Sequence, residues 1–211
     1  MKKMWMWMLG AVLAAASAAV QADVAKAPDA LIGGAVQEVI DALGKDKALR
    51  DGDKQKVREI IEAKVVPLFD FTRMTQKTLG KKNWNAATPE QRTALTQEYH
   101  HFLVRFYTGA FSSYQDQKVE IKPLKLADSD SDVTVKSIIT KPGNQPVTVS
   151  YDLYKTSAGW KIYDVAVQEI GLIDTYKKQF AEKIEQSGLD GLIKWLADSN
   201  QGAQAKKASA K

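Results

Sequence analysis

The spacing of apolar residues changes after Tyr114 from a helical to a strand period, and this change limits the folds that the chain can adopt. Up to Tyr114 apolar residues recur every three or four positions, as in helices, whereas from residue 119 to 167 they recur every second position, as in half-buried strands. The alternating residues form four sets: Val119 and Ile121; Val133, Val135 and Ile139; Val147, Val149, Tyr151 and Leu153; Tyr163, Val165 and Val167. Short polar turns separate them, so the sequence predicts a four-stranded antiparallel sheet.

Sequence signals for helices occur both before and after the segment that is predicted to form the sheet. Thr88, Pro89 and Gln91 form the clearest one, with threonine at the N-cap, proline at the first helical position and a capping-box glutamine. Pro67 must interrupt an earlier helix, because proline lacks the backbone donor. The apolar stripes predict helices over residues 29–44, 53–66, 70–79, 88–114 and 173–188, and a short one over 192–196. The apolar sheet face needs these helices as a cover, which predicts an α+β fold.

The first 22 residues have the pattern of a secretory signal peptide. Lys2 and Lys3 precede an uncharged stretch that ends at Ala22 with small or neutral residues. A membrane anchor is the alternative, but many residues of the stretch are small, which favours cleavage near Ala22. We therefore expect a signal peptide over 1–22, one domain over 23–199, and a disordered polar tail over 200–211.

Composition narrows the classes of function. The chain has no cysteine, which excludes disulfides and thiolate chemistry. Its formal charge of +5 includes the two lysines of the signal peptide, so the exported protein is close to neutral and a poor candidate for binding nucleic acid.

Signals for catalysis are few. His100 and His101 are the two histidines, and as neighbours on a helix they diverge by about 100° and cannot share a metal ion. Asp152 and Asp164 lie on neighbouring predicted strands, out of phase with the apolar face, which indicates a surface pair. A buried aspartate in a helices-on-sheet enzyme is the alternative. Periodicity alone does not decide whether the interior is filled or holds a pocket.

Several strings in sequence order resemble the MlaC family of periplasmic phospholipid-binding proteins, also called toluene-tolerance or ABC-transporter auxiliary components. The resemblance covers about residues 30–197. The strings are Val66-Pro67-Leu68-Phe69-Asp70-Phe71, Leu79-Gly80 with Trp84, Thr88 and Gln91-Arg92, residues 147–151, residues 160–165, and Tyr176-Lys177-Lys178-Gln179-Phe180. One departure is Gln168-Glu169-Ile170-Gly171-Leu172, where the family usually has Glu-Gly-Val-Ser-Leu.

The resemblance implies an NTF2-like fold in which helices and sheet enclose an apolar cavity for acyl tails. It also implies a shuttle that exchanges phospholipid with an inner-membrane ABC transporter and an outer-membrane lipoprotein and porin complex. Neither catalytic residues nor a metal or other cofactor are expected, because phospholipid is the cargo. A small periplasmic enzyme acting on an apolar substrate is the alternative.

The resemblance, with the apolar faces predicted above, implies a set of lipid-lining residues. These are Phe69, Phe71, Met74, Leu79, Leu103, Phe106, Phe111, Val135, Val147, Val149, Tyr151, Val165, Val167 and Phe180. Each could equally be a packed core residue without lipid contact.

Overall fold

A computed structural model describes residues 26–46, 49, 53–112 and 117–208, and for residues 110–112 and 202–208 the description is limited to the backbone. The signal peptide predicted over 1–22 lies outside the described residues. The α-helices are α1 (Pro28–Lys45), α2 (Lys54–Ile60), α3 (Phe71–Ala86), α4 (Pro89–Ser112) and α5 (Leu172–Ala208).

The predicted helix starts are confirmed by their caps. Asp53 accepts hydrogen bonds from the backbone N–H groups of Gln55 and Lys56, at 2.9 and 3.2 Å. Thr88 and Gln91 form the reciprocal capping box: the Thr88 N–H donates to Gln91 Oε1 (3.1 Å) and the Gln91 N–H to Thr88 Oγ1 (3.2 Å). Each cap supplies acceptors to backbone donors that the first helical turn leaves free.

The α-helix predicted over 53–66 ends earlier, at Ile60, and Pro67 lies in the 3-10 turn that completes this helical stretch. After α2 the chain widens into a π-helical turn, Ile61–Val65, and tightens into a 3-10 turn, Val66–Leu68. The chain then enters a short extended stretch before Asp70 caps α3 through the Arg73 N–H at 2.8 Å.

Two glycines divide long helices into segments. Gly80 closes the helix predicted over 70–79, as expected: its backbone is non-helical, with a φ of 75°, and a second segment beyond this kink continues to Ala86. Gly188, with a φ of 70°, separates the two predicted segments of α5. Glycine adopts this left-handed conformation without a steric penalty.

Asn200 is the first residue of the predicted tail, and it is held in place. Its Nδ2 donates hydrogen bonds to the backbone oxygen and to Oε2 of Glu98, at 3.1 and 2.7 Å. The backbone remains helical as far as Ala208.

The antiparallel sheet is confirmed, with one strand more than predicted. Its strands are β1 (Lys118–Ile121), β2 (Asp132–Thr140), β3 (Val147–Thr156), β4 (Gly159–Val167) and β5 (Ile170–Gly171), in the order β1-β2-β3-β4-β5. The short β5 follows a tight turn in which Gln168 and Glu169 both have positive φ, 50° and 67°. Alternation does not reveal a strand of two residues.

A β-bulge changes the phase of β4. Asp152 pairs with Asp164 but Leu153 pairs with Ile162, so Tyr163 is the additional residue. The sequence placed Tyr163 on the face of Val165 and Val167, and this was wrong. Its ring lies against Tyr154, with ring centroids 6.0 Å apart, and the buried residue is Ile162.

The core has three apolar clusters, each named here by its elements. The helical cluster joins α3, α4 and α5 around Tyr99 and Phe180. The α1–α2 cluster includes Val57 and Val104. The sheet cluster packs Ile32 of α1 against Val135, Leu153, Trp160 and Ile162. Helix α1 is thus a cover of the apolar sheet face.

Candidate functional site

The apolar sheet face consists of rows of paired residues. Strand register places Val135, Tyr151 and Val165 in one row, and Ser137, Val149 and Val167 in the next. Residues that pair across an antiparallel sheet project to the same side. Side chains from three strands therefore form one continuous and mainly apolar surface.

This face is sealed at one end and open at the other. At the sealed end, Leu153 of β3 and Val135 of β2 are fully buried beneath α1, with exposures of 0% and 1%. Val167, at the end of β4, is 42% exposed, and Val147 of the last row is half-buried. Ile170, just beyond Val167, is 67% exposed. Apolar surface is thus accessible at the β4 end, where burying it would be favourable.

Two hydroxyl groups interrupt the apolar face. Ser137 Oγ lies 3.5 Å from both the Val149 carbonyl oxygen and the Tyr151 hydroxyl oxygen, and Ser137 is fully buried. Burial raises the pKa of Tyr151, so its phenol stays protonated at neutral pH. These two groups are polar but uncharged.

Two of the family strings contact each other. Phe69 forms a parallel bridge with Ile162, and the Asp70 N–H donates to the Ile162 oxygen at 2.8 Å. Lys161 Nζ donates to the Pro67 oxygen at 2.6 Å. Segment 66–70 is therefore fixed along β4, on the side of that strand away from β3.

Aromatic contacts extend this junction towards α4. The rings of Phe69 and Phe71 stack with centroids 5.4 Å apart, and Phe71 lies 4.4 Å from the ring of His100. Phe69 packs against both the sheet cluster and the helical cluster. Residues that the sequence separates widely are thereby assembled where helices meet sheet.

The predicted lining residues divide between the two clusters. Val135, Tyr151 and Val165 lie in or against the sheet cluster. Met74, Leu79, Leu103, Phe180 and Phe71 lie in or against the helical cluster. Phe106 is 60% exposed, and the side chain of Phe111 lies outside the described part of the chain. Whether these residues contact lipid stays a prediction.

Sequence analysis missed three residues of the sheet cluster. Ile32 is on the apolar stripe of α1, but the stripe does not indicate which surface it meets. Trp160 and Ile162 are buried because of the bulge, which the alternation of β4 conceals. The Trp160-Lys161-Ile162 string offered a signal, since a tryptophan and an isoleucine two positions apart share a strand face.

Two clefts in the described part of the chain lie away from the sheet face. One, of about 360 Å³, is lined by residues that include Phe69, Thr72 and Tyr154. The other, of about 260 Å³, has Arg58 and Arg105 in its wall. Neither is the cavity that the family resemblance implies, which remains an expectation.

The histidines differ in their surroundings. His100 is half-buried, with Nε2 at 3.4 Å from Glu62 Oε2, whereas His101 is exposed. Burial lowers the pKa of His100, and Glu62 opposes that effect. No group of three or more metal-binding side chains occurs among the residues that the structure describes.

Asp164 is half-buried, which corrects the expectation of a surface pair. It pairs with Asp152 across β3 and β4, on the face opposite to Tyr151 and Val165. Its Oδ1 accepts hydrogen bonds from the N–H groups of Val165 (2.8 Å) and Ile173 (3.1 Å). Desolvation raises its pKa, and these hydrogen bonds moderate the rise. Capping of α5 accounts for its position.

Comparison with known proteins identifies the class. The sequence profile of the MlaC protein family matches residues 34–198, so the chain belongs to the MlaC family. The toluene tolerance protein ttg2D of Pseudomonas putida is 24% identical over 166 residues, which span 79% of this chain and 77% of that protein.

A solved structure supports the same assignment. The phospholipid-binding protein from Ralstonia solanacearum, determined in complex with a phospholipid, is 36% identical, with a TM-score of 0.75 over 82% of this chain and 97% of that one. The α+β fold is thus shared. No helix in the described ranges is both long enough and apolar enough to cross a bilayer.

Proposed function

We propose that this protein is a periplasmic phospholipid carrier. The observation that carries the proposal is the match to the Ralstonia solanacearum protein, which holds a phospholipid on the same fold at 36% identity. The open end of the apolar sheet face offers a place for acyl chains to enter. The predicted lining residues would surround those chains inside.

The energetics of lipid transfer explain why a carrier is needed. Burying one methylene is worth about 0.8 kcal/mol, so two acyl chains of about sixteen carbons lose on the order of 25 kcal/mol in water. Unaided desorption is correspondingly slow. A protein interior that offers similar burial makes transfer nearly isoenergetic and requires no catalytic group.

The family and the energetics of lipid transfer support a cellular role for this carrier. After signal-peptide cleavage near Ala22, the protein would move phospholipid between an outer-membrane lipoprotein and porin complex and an inner-membrane ABC transporter, which maintains outer-membrane lipid asymmetry. The relation to a toluene tolerance protein supports a role in the envelope barrier.

The position of Asp164 argues against the enzyme alternative. It is the half-buried carboxylate that a general base would require, but it lies on the sheet face opposite to Tyr151 and binds backbone N–H groups. Its burial is explained by helix capping, so the carrier is the better account.

Native mass spectrometry of the mature protein, followed by lipid extraction, tests the proposal. We expect about one bound phospholipid per chain, with mixed head groups. Protein that purifies without lipid, and also takes none up from vesicles, would contradict the carrier function.

A further inference from the structure

The 260 Å³ cleft on the helical side of the protein has an unusual wall. It is lined by Arg58 and Glu62 from the α2 region, by His101, Val104 and Arg105 from α4, and by Asn200 from α5. Three segments distant in sequence thus contribute polar side chains to one concave surface, behind which Val104 belongs to the α1–α2 cluster.

Neither of the two arginines has an anionic partner among the residues that the structure describes. None of the ion pairs among the described residues involves Arg58 or Arg105, and the Nε atom of each is buried without a hydrogen-bond acceptor. A buried donor without an acceptor is costly, since it has lost its water and gained nothing in return. These Nε atoms are shielded from solvent, so a guest in the cleft would meet the terminal Nη groups of the two arginines, which have no ion-pair partner among the described residues.

The acidic residue of the cleft is already engaged. Glu62 Oε2 lies 3.4 Å from His100 Nε2 and not within ion-pair distance of either arginine. Asn200 directs its Nδ2 to Glu98 and leaves Oδ1 buried and unpaired. Among the lining residues two guanidinium charges stand against one carboxylate, and Glu98 beside them is hydrogen-bonded to Asn200, so the arginine side of the cleft favours an anionic guest.

We infer that this cleft binds a phosphate group, held by the guanidinium groups of Arg58 and Arg105. Planar guanidinium groups match the spacing of phosphate oxygens and form short charge-assisted hydrogen bonds with them. The inference stands independently of lipid carriage, because it concerns a cleft that does not include the apolar sheet face.

Titration calorimetry of the mature protein at low ionic strength tests the inference. Sodium phosphate and sn-glycero-3-phosphoethanolamine are the two probes, and sodium chloride at equal ionic strength is the blank. Binding of both identifies a general phosphate site, and binding of the glycerophosphodiester alone identifies a head-group site. Heat no greater than that of the blank for both probes overturns the inference.

Substitutions assign the site to the two arginines. The double variant R58Q/R105Q removes both guanidinium groups, and we expect affinity to fall by at least about tenfold, since hydrogen bonds between charged groups are the strong ones. The matched control K81Q/K82Q removes the same charge from exposed residues of α3 and is expected to bind as the unmodified protein does. Equal losses in both would reduce the effect to net charge and overturn the site.

A further variant covers the case in which R58Q/R105Q fails to fold. R58K/R105K keeps both positive charges but loses the planar guanidinium groups. We expect this variant to bind phosphate more weakly while its circular dichroism spectrum stays that of the folded protein. Binding unchanged in this folded variant would contradict the role of the guanidinium geometry.

Discussion

The hydroxyl of Tyr154 on β3 donates a hydrogen bond to Oδ2 of Asp70, the residue whose Oδ1 caps α3. One carboxylate thus joins the start of a helix to the sheet. The Arg73 guanidinium lies 3.8 Å from the centre of the Tyr154 ring and 3.3 Å from Asp132, which closes the junction on its outer side.

Tyr154→Phe tests this junction. The substitution keeps the ring against Arg73 and removes only the hydroxyl, so we expect a loss of about 1 kcal/mol in unfolding free energy, because the bond is partly exposed. Urea denaturation followed by circular dichroism measures it. Asp70→Ala, which also removes the cap, is expected to cost about 1 kcal/mol more. An Asp70→Ala cost no larger than that of Tyr154→Phe would contradict the shared role of the carboxylate.

Val149→Trp tests the sheet face as the lipid site. Val149 projects from the same side as Tyr151, next to Ser137, so a bulky indole there would occupy the space proposed for an acyl chain. We expect reduced lipid load in extracted protein and a retained fold. Thr134→Trp, on the opposite and exposed face, is the matched control. A sharp drop in the melting temperature of delipidated Val149→Trp would identify a packed core there, where overpacking costs about 1 to 3 kcal/mol.

Asp164→Asn tests the electrostatic cost of the α5 cap. Desolvation raises the folded-state pKa of Asp164 above its ordinary value of 3.8, so the folded protein holds this proton more tightly than the unfolded chain. The stabilisation of the folded state that comes from this tighter proton binding is complete below pH 3.8. It is lost as the pH rises through the folded-state pKa of Asp164. Asparagine keeps an acceptor for the Ile173 N–H without the charge.

The measurement is the unfolding free energy of both proteins at several pH values. We expect Asp164→Asn to remove one acid-range component of the pH dependence and to be at least as stable as the unmodified protein at neutral pH. Asp164→Ala, which loses the acceptor as well, is expected to be less stable. Parallel pH profiles for Asp164→Asn and the unmodified protein would show that the carboxylate carries no such cost.

His100→Gln with His101→Gln tests whether the histidines take part in function. A carrier requires burial rather than proton transfer, so we expect lipid load and detergent resistance of the host envelope to remain unchanged. A folded double variant that loses lipid, especially with loss of a bound metal, would favour the enzyme alternative.

The same histidine pair predicts a pH effect on stability. Burial lowers the folded-state pKa of His100 below its ordinary value of 6.5. The neutral histidine therefore stabilises the folded state fully above pH 6.5, and this stabilisation is lost as the pH falls through the folded-state pKa. His100→Gln alone is therefore expected to flatten the loss of stability as pH falls below 6.5. An equal effect of His101→Gln, whose side chain is exposed, would contradict the assignment to His100.

Most of the fold was predictable from short sequence signals, because the chain adopts the local structure that each signal favours. The capping box at Thr88, the break at Pro67 and the alternation of β2 and β3 each act over a few residues, where propensity and periodicity are reliable. The phase of β4 was missed at Tyr163, because a bulge depends on how two strands pair, and its one sign in the sequence is that Trp160 and Ile162 are out of phase with Val165.

The candidate site was less predictable than the fold. Sequence faces identified Val135 and Tyr151, but not that Ile32 of α1 covers their sheet or that one end stays open. The clustering of Arg58, Arg105 and Asn200 depends on three helices meeting, which periodicity does not encode. Such sites come from tertiary packing of segments far apart in the chain.

The absence of a side chain at Gly171 couples two positions of this protein. A Cβ there would lie 2.9 Å from Asp164 Oδ2, so the carboxylate that caps α5 occupies space that a serine side chain at this position would need. A serine at the N-cap could itself accept the Ile173 N–H. The effects of Gly171→Ser and of Asp164 substitutions on stability are therefore expected to be non-additive, because either substitution changes the space and the cap that the other one meets.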